Sequence, residues 1–250
     1  MKLLTLDIET APHEVRALVW KIWEQNLNPR DIIKAGYILC WAAKWYGSNE
    51  VLFAQVGSQK PESGLREIHT LLSEADAVVH YNGTRFDIPA LNKEFLLAGM
   101  APPAPFKQID LYKVVKDQFR FPSNRLDYVA RALGVGGKLE HEGSSKLWPL
   151  CMAGDKKAWA TMESYNKQDV VITEGVYEKV KPWIRNHPNQ NLYQEVAGCP
   201  VCGSTRRQSR GSGFTDRQRY KRYQCRDCGK WYRGTKPLAT PPAAEYVNLK

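Results

Sequence analysis

Long apolar runs are missing from this sequence, and none approaches the roughly 20 consecutive residues that cross a bilayer. The N-terminus also lacks the pattern of a secretory signal, because one lysine and a short apolar run lead directly into acids. No internal repeat is present. We therefore expect a cytoplasmic protein with no membrane partner. With 250 residues and 43% hydrophobic content, the chain can form one substantial core and a small second module.

Acidic residues are scarce towards the end of the chain. Residues 195–250 hold 12 Lys/Arg and 4 Asp/Glu, a charge of +8, whereas the preceding residues hold 24 and 22, a charge of +2. A nearly neutral body thus carries a strongly basic segment, which indicates a polyanionic partner. Interleaved aromatic residues weaken the alternative of a merely soluble tail, and they are Phe214, Tyr220, Tyr223, Trp231 and Tyr232.

Cysteine is also sparse, and four of the six cysteines fall in two CxxC pairs of the basic segment. These are Cys199, Cys202, Cys225 and Cys228. In a reducing compartment, paired CxxC motifs are more often zinc ligands than disulfides. Four thiolates complete a tetrahedral zinc shell, so we expect one structural Zn²⁺. Cys40 reads as a core residue, and Cys151 has no evident role.

The chain begins with a short apolar strand that ends in two acids, Asp7 and Glu9. Side chains alternate between the two faces of a strand, so these carboxylates project from the same face. Two carboxylates this close repel one another unless a cation lies between them. The spacing therefore suits a divalent metal ion with oxygen ligands. Two solvated acids at a strand end are the alternative for this pair taken alone.

The pattern that follows predicts alternating α and β elements. Apolar residues between Val15 and Trp23 have helical spacing. Residues 36–56 read as a β-hairpin, residues 65–72 as an amphipathic helix and residues 77–80 as a strand.

Two further acids lie on predicted helices. Asp87 falls at the start of a helix that follows the turn signal Asn82-Gly83, where alone it would only complement the helix dipole. Asp169 lies on a long helix over residues 155–184 and shares a face with Tyr165, because positions four apart point the same way. Asp110 follows a short strand, and we treat it as structural.

These residues fall in motifs that resemble those of the DEDD 3′–5′ exonucleases of the ribonuclease H-like superfamily. The matching stretches are LDIET (6–10), YNGTRFDIPAL (81–91) and YNKQDV (165–170), with further similarity in QIDLYKVV (108–115) and SNRLDYVARALGV (123–135). Because the third motif contains a tyrosine, the sequence looks most similar to the tyrosine-bearing branch of this family. That branch includes the proofreading domains of family-B DNA polymerases. The resemblance covers roughly residues 1–185, and its motifs occur in the right order.

The resemblance implies an α/β fold, with a mixed sheet flanked by helices and two Mg²⁺ or Mn²⁺ ions at one edge. It implies that Asp7 bridges both ions, that Glu9 and Asp169 complete the water-activating ion, and that Asp87 supports the second. Tyr165 is expected to orient the attacking water. We expect an exonuclease domain over residues 1–188, a zinc ribbon over 195–236 and a flexible tail over 237–250.

The expected partner is nucleic acid, favoured as single-stranded DNA with a free 3′ end, together with replication or repair proteins. The candidate substrate-binding residues are Asn82, Phe86, Arg206, Arg207, Arg217, Arg219, Tyr220, Lys221, Arg222 and Trp231. Two alternatives stay open. One is an exoribonuclease that trims RNA, and the other is a nonenzymatic adaptor in which the basic ribbon is the functional part.

Overall fold

The computed structural model describes residues 1–19, 21, 23, 27–57, 61–137 and 144–239. They divide into two compact units, Lys2–Tyr177 and the described residues from Glu178 onwards. The expected end of the exonuclease domain at residue 188 thus lies within the second unit. None of the described helices combines the length and the apolar character that a membrane span requires.

The first unit contains seven strands among its described residues. They are β1 (Leu3–Thr10), β2 (Glu14–Val15), β3 (Ile32–Lys34), β4 (Ile38–Trp45), β5 (Leu52–Gln55), β6 (Ala77–His80) and β7 (Lys107–Asp110). The helices are α1 (Pro61–Glu74), α2 (Asp87–Leu97), α3 (Leu111–Gln118), α4 (Leu126–Ala132), α5 (Ser144–Met152) and α6 (Lys156–Val180).

The main sheet has five strands in the order β5-β4-β1-β6-β7. β4 is antiparallel to both β1 and β5, whereas β6 is parallel to both β1 and β7. The predicted mixed sheet is therefore confirmed, and β1 is its central strand. The parallel pairing of β1 with β6 ends at Thr5, so the second half of β1 extends beyond it.

Helices cover both faces of this sheet. On one face, Leu4, Leu6 and Ile8 of β1 pack in a core that also includes apolar residues of α1 and α2. On the other face, β4 residues share a second core with Leu147 of α5 and Met162 of α6. Because Leu4, Leu6 and Ile8 occupy the first face, strand alternation directs Asp7 and Glu9 towards the opposite one.

The predicted helix between Val15 and Trp23 is wrong. Val15 instead belongs to β2, which pairs with the antiparallel β3. Leu18 is 101% exposed and Trp23 is 84% exposed, so these two predicted members of the apolar helix face do not pack in a core. A short helix without such packing is not stable in water. The predicted helix member Ile22 lies outside the described residues.

A tight turn between β6 and α2 positions the second acidic motif. The Gly83 N–H donates to His80 Nδ1 at 3.0 Å, and the other ring nitrogen of His80 contacts Gln108 Oε1 at 3.2 Å. Burial lowers the pKa of His80, in keeping with a neutral ring that accepts at Nδ1. Asn82 adopts φ 68°, and its N–H donates to Asp110 Oδ1 at 3.0 Å. Asp110 Oδ1 also caps α3 through the Tyr112 N–H, consistent with a structural role for this acid.

The second unit contains a three-stranded antiparallel sheet in the order β10-β9-β8. Its strands are β8 (Arg207–Phe214), β9 (Arg219–Cys225) and β10 (Trp231–Pro237). Pro237 still lies in β10, and the Leu238 N–H donates to the Arg219 carbonyl at 2.7 Å. The sheet therefore reaches into the expected tail, of which residues 240–250 lie outside the described part.

We expect Gly83→Ala to destabilise the protein, because the added Cβ would lie 2.5 Å from His80 Cγ. Overpacking of this kind typically lowers the free energy of unfolding by about 1–3 kcal/mol. Urea unfolding followed by circular dichroism measures the loss. The control is Arg85→Ala, an exposed position two residues on, which should change stability by no more than about 0.5 kcal/mol. Equal stability of the two variants would show that the His80 ring is not fixed in this turn.

Candidate active site

Three carboxylates come together on the face of β1 opposite the α1 and α2 core. Each of Asp7, Glu9 and Asp169 offers an oxygen, and these oxygens lie within 4.8 Å of one another. Asp169 is only 2% exposed, whereas Asp7 and Glu9 are half-buried. Adjacent like charges with little solvent disfavour joint ionisation unless a cation is bound. A set of hard carboxylate oxygens fits a divalent ion such as Mg²⁺ or Mn²⁺.

Two hydrogen bonds hold the first pair of acids in place. Asn166 Nδ2 donates to Asp7 Oδ2 at 2.6 Å, and Trp148 Nε1 donates to Glu9 Oε2 at 3.1 Å. Asn166 is fully buried, and its Oδ1 has no hydrogen-bond partner among the described residues. Sequence reasoning missed both donors. The sequence contains a signal for Asn166, because this residue lies three positions before Asp169 and so near the same helix face. It contains no such signal for Trp148.

Tyr165 lies one helical turn before Asp169, as its spacing predicts. Its ring is half-buried and packs beside the second core. The Tyr165 and Trp148 rings meet edge to face with centroids 6.2 Å apart. The indole that binds Glu9 thus also packs against the tyrosine.

Asp87 occupies a different position from the three clustered acids. It begins α2, is 4% exposed, and its Oδ1 accepts the Ile8 N–H at 3.2 Å. It therefore contacts the β1 backbone between Asp7 and Glu9. Burial raises the pKa of Asp87 to about 7, Asp110 adds to the rise, and backbone hydrogen bonds oppose it.

The second motif contains two substrate-binding candidates, Phe86 and Asn82. Phe86 is 47% exposed. Asn82 lines a cavity of about 790 Å³ together with three tyrosines and two arginines. Those neighbours are Tyr81, Tyr112, Tyr128, Arg125 and Arg131. Their role in substrate binding stays a prediction.

The four predicted zinc ligands form a second cluster, with their sulfur atoms within 4.8 Å of one another. Cys199 Sγ lies 3.6 Å from Cys228 Sγ, and Cys202 Sγ lies 3.6 Å from Cys225 Sγ. A tetrahedral Zn²⁺ with Zn–S bonds of about 2.3 Å would separate its sulfurs by about 3.8 Å. Burial raises the pKa of the Cys202 and Cys228 thiols, so a cation is needed for all four to be thiolates. The geometry fits zinc.

The predicted nucleic-acid residues of the ribbon differ in their contacts and in their exposure. Arg206 pairs with Asp227 at 2.5 Å, and Arg219 donates to Ser212. The Arg222 guanidinium lies 5.1 Å from the Trp231 ring centroid. Tyr220 is largely buried, Arg217 is exposed, and Arg207 and Lys221 line a common cavity.

Comparison with protein families decides the assignment. Residues 34–181, more than half of the chain, match the model of the RNase H superfamily. The chain belongs to the ribonuclease H superfamily. Asp87, Tyr165 and Asp169 lie within the matched residues of this ribonuclease H-like chain, whereas Asp7 and Glu9 precede them. Membership and the carboxylate cluster together support a nuclease that uses divalent metal ions and acts on nucleic acid.

A solved structure gives the same fold. The structure of the family B DNA polymerase from the hyperthermophilic archaeon Pyrobaculum calidifontis is similar, with a TM-score of 0.57 and 19% identity. The similarity covers 72% of this chain and 24% of the polymerase chain, so this chain spans about a quarter of the polymerase. At this identity the similarity shows the fold alone. No curated protein matches the sequence significantly.

The raised pKa of Asp87 predicts a pH-dependent stability in the absence of added divalent ions. The folded carboxyl keeps its proton up to about pH 7, whereas the ordinary value is 3.8. Between these values the folded state binds more protons, so the free energy of unfolding should fall as the pH rises. Asp87→Asn should lack this part of the slope while keeping an acceptor for the Ile8 N–H.

Urea unfolding of both proteins at several pH values between 4 and 8 measures this difference. The buffer contains no Mg²⁺ and no chelator, because a chelator would strip the cysteine cluster. A constant offset between the two pH profiles would contradict a raised pKa at Asp87.

Proposed function

We propose that this protein is a 3′–5′ exonuclease that hydrolyses phosphodiester bonds of single-stranded DNA with two bound Mg²⁺ or Mn²⁺ ions. The observation that carries the proposal is the cluster of Asp7, Glu9 and Asp169, with Tyr165 one turn away on α6. The arrangement matches the motif order of the tyrosine-bearing DEDD exonucleases. The resemblance of the motifs to those of family-B DNA polymerase proofreading domains favours DNA over RNA.

Asp7, Glu9 and Asp169 would hold the ions, with Asp87 supporting them from the start of α2. When bound, a pair of such ions lowers the pKa of the attacking water and stabilises the leaving oxyanion. The protein keeps the ligands ready for binding through the Asn166 and Trp148 hydrogen bonds. Preorganised ligands of this kind raise metal affinity, because outer hydrogen bonds fix their orientation.

Tyr165 would orient the attacking water through its phenol. A side chain that positions a proton-bearing nucleophile contributes roughly 10²–10⁴-fold to the rate. The contact between Tyr165 and Trp148 links the orientation of the phenol to that of Glu9.

In the second unit, Cys199, Cys202, Cys225 and Cys228 would bind one structural Zn²⁺. Cys199, Val201 and Cys225 form a small buried cluster in this unit. A module with so little apolar core depends on its metal for folding.

Two alternatives have distinct outcomes. An exoribonuclease would degrade labelled RNA faster than single-stranded DNA of the same sequence in a side-by-side assay. A nonenzymatic adaptor would bind these strands but show no cleavage in Mg²⁺. Replication or repair proteins remain proposed partners.

Asp7→Asn should abolish cleavage while the protein stays folded, because it removes a charged ligand at the centre of the cluster. We expect a rate loss of at least about 100-fold, the scale at which loss of one electrostatic group slows catalysis. Digestion of labelled single-stranded DNA in Mg²⁺ gives the rate, and circular dichroism checks the fold.

The matched control is Asp117→Asn, which makes the same change at an exposed acid of α3. Its activity should equal that of the wild type. If Asp7→Asn also kept activity within about tenfold of the wild type, a difference of only about 1.4 kcal/mol, the metal assignment would be wrong.

Tyr165→Phe should slow turnover without eliminating it, because the phenol would only orient a water whose pKa bound ions would already lower. The expected loss is roughly 10²-fold and at most 10⁴-fold. Single-turnover rates of the variant and of Tyr193→Phe, an exposed tyrosine of the second unit, measure the effect. Full activity of Tyr165→Phe would make this residue a packing residue only.

A further inference from the structure

The strand register of the second unit separates its sheet into two faces. Tyr223 of β9 lies opposite Tyr232 of β10 and Ser209 of β8, so these side chains share one face. We call it the cavity face and define it by Arg207, Lys221, Tyr223, Tyr232, Gly234 and Lys236. The other face carries Tyr220, Arg222 and Trp231.

The cavity face borders a cavity of about 760 Å³. This is within the range of sites that hold small molecules, about 300–1,000 Å³. The described residues that line it include four cations, Arg207, Lys221, Arg233 and Lys236, and no Asp or Glu. A concave surface of one charge sign concentrates ligands of the opposite sign.

Two of these cations are available to a ligand. Lys221 and Lys236 are exposed, and neither has an ion-pair partner among the described residues. The Arg233 guanidinium, in contrast, lies 4.0 Å from the Tyr220 ring centroid. The unpaired lysines therefore supply the free positive charge of the cavity.

An aromatic pair lies beside these lysines. The Tyr223 and Tyr232 rings are stacked, with centroids 5.7 Å apart and an interplanar angle of 30°, and the Arg207 guanidinium lies 5.3 Å from the Tyr223 centroid. Gly234 leaves the edge of Tyr223 open, because a Cβ there would lie 3.9 Å from Tyr223 Cε2.

We infer that the cavity face binds single-stranded nucleic acid, with backbone phosphates on Lys221 and Lys236 and a base against Tyr223. Free lysines next to aromatic rings are the combination that recognises single strands, since the charges follow the backbone and the rings stack on bases. The inference extends the proposed function, because it rests on nucleic acid being the substrate. It assigns the contact to one face and leaves Arg217, Arg222 and Trp231 outside it.

A steric pair of variants tests the location without changing any charge. Gly234→Leu fills the cavity beside Tyr223, whereas Gly213→Leu places the same side chain beside Arg222 on the other face. Both added Cβ atoms have ordinary contacts of 3.9 Å, so both variants are expected to fold. Each is made in the full-length Asp7→Asn protein, and retention of one zinc per chain confirms the fold.

A charge pair tests the phosphate contacts. Lys221→Ala/Lys236→Ala removes two positive charges from the cavity face, and Arg210→Ala/Arg226→Ala removes two exposed ones elsewhere in the unit. Binding of a fluorescent 12-nucleotide single strand is measured by anisotropy across a KCl series. Each lost contact to a single strand should reduce the salt slope by about 0.7.

We expect Gly234→Leu to weaken binding at least about 5-fold, the loss of one stacked base, with no change for Gly213→Leu. The lysine pair should lower the salt slope by about 1.4, and the arginine pair should leave it unchanged. Equal effects within each pair would overturn the inference in favour of diffuse attraction. Unchanged affinity and slope in Gly234→Leu and the lysine pair would overturn it in favour of a protein-docking surface. None of these readouts needs cleavage, so failure of the proposed nuclease activity is seen separately in the wild-type protein.

Discussion

The carboxylates of Asp7, Glu9 and Asp169 repel one another, and the packing of the first unit must hold them together against this repulsion. Their oxygens lie within 4.8 Å of one another, a separation at which joint ionisation needs a cation. The fold nevertheless holds them together, because apolar packing on both faces of the sheet fixes β1 and α6. The unit therefore holds the three carboxylates in an arrangement that a bound metal ion would stabilise.

The hydrogen bonds around the cluster indicate a site prepared for a ligand. Asn166 and Trp148 each donate to one carboxylate and thereby limit its rotation. Asp87 responds to the same shortage of solvent through its raised pKa. A metal ion would reverse this effect, since a nearby positive charge favours the ionised carboxyl.

Sequence reasoning identified the parts of the site that follow from periodicity. Strand alternation placed Asp7 and Glu9 on one face, and helical spacing placed Tyr165 beside Asp169. It missed Trp148, because a contact across 139 positions leaves no local pattern. It was wrong between Val15 and Trp23, because apolar spacing indicates a helix only where a core exists to receive it. In the ribbon, the sequence shows how many basic residues are present. It does not show which face of the sheet each one occupies, because that depends on strand register.

The most direct measurement compares three forms of one single-stranded DNA in Mg²⁺: labelled at the 3′ end, labelled at the 5′ end, and closed into a circle. A 3′–5′ exonuclease needs a free 3′ end, so we expect the 3′ label to appear at once as a mononucleotide. The 5′-labelled strand should shorten progressively, and the circle should stay intact. Cutting of the circle, or no cleavage of the linear strands, would contradict the assignment of the carboxylate cluster to a 3′–5′ exonuclease.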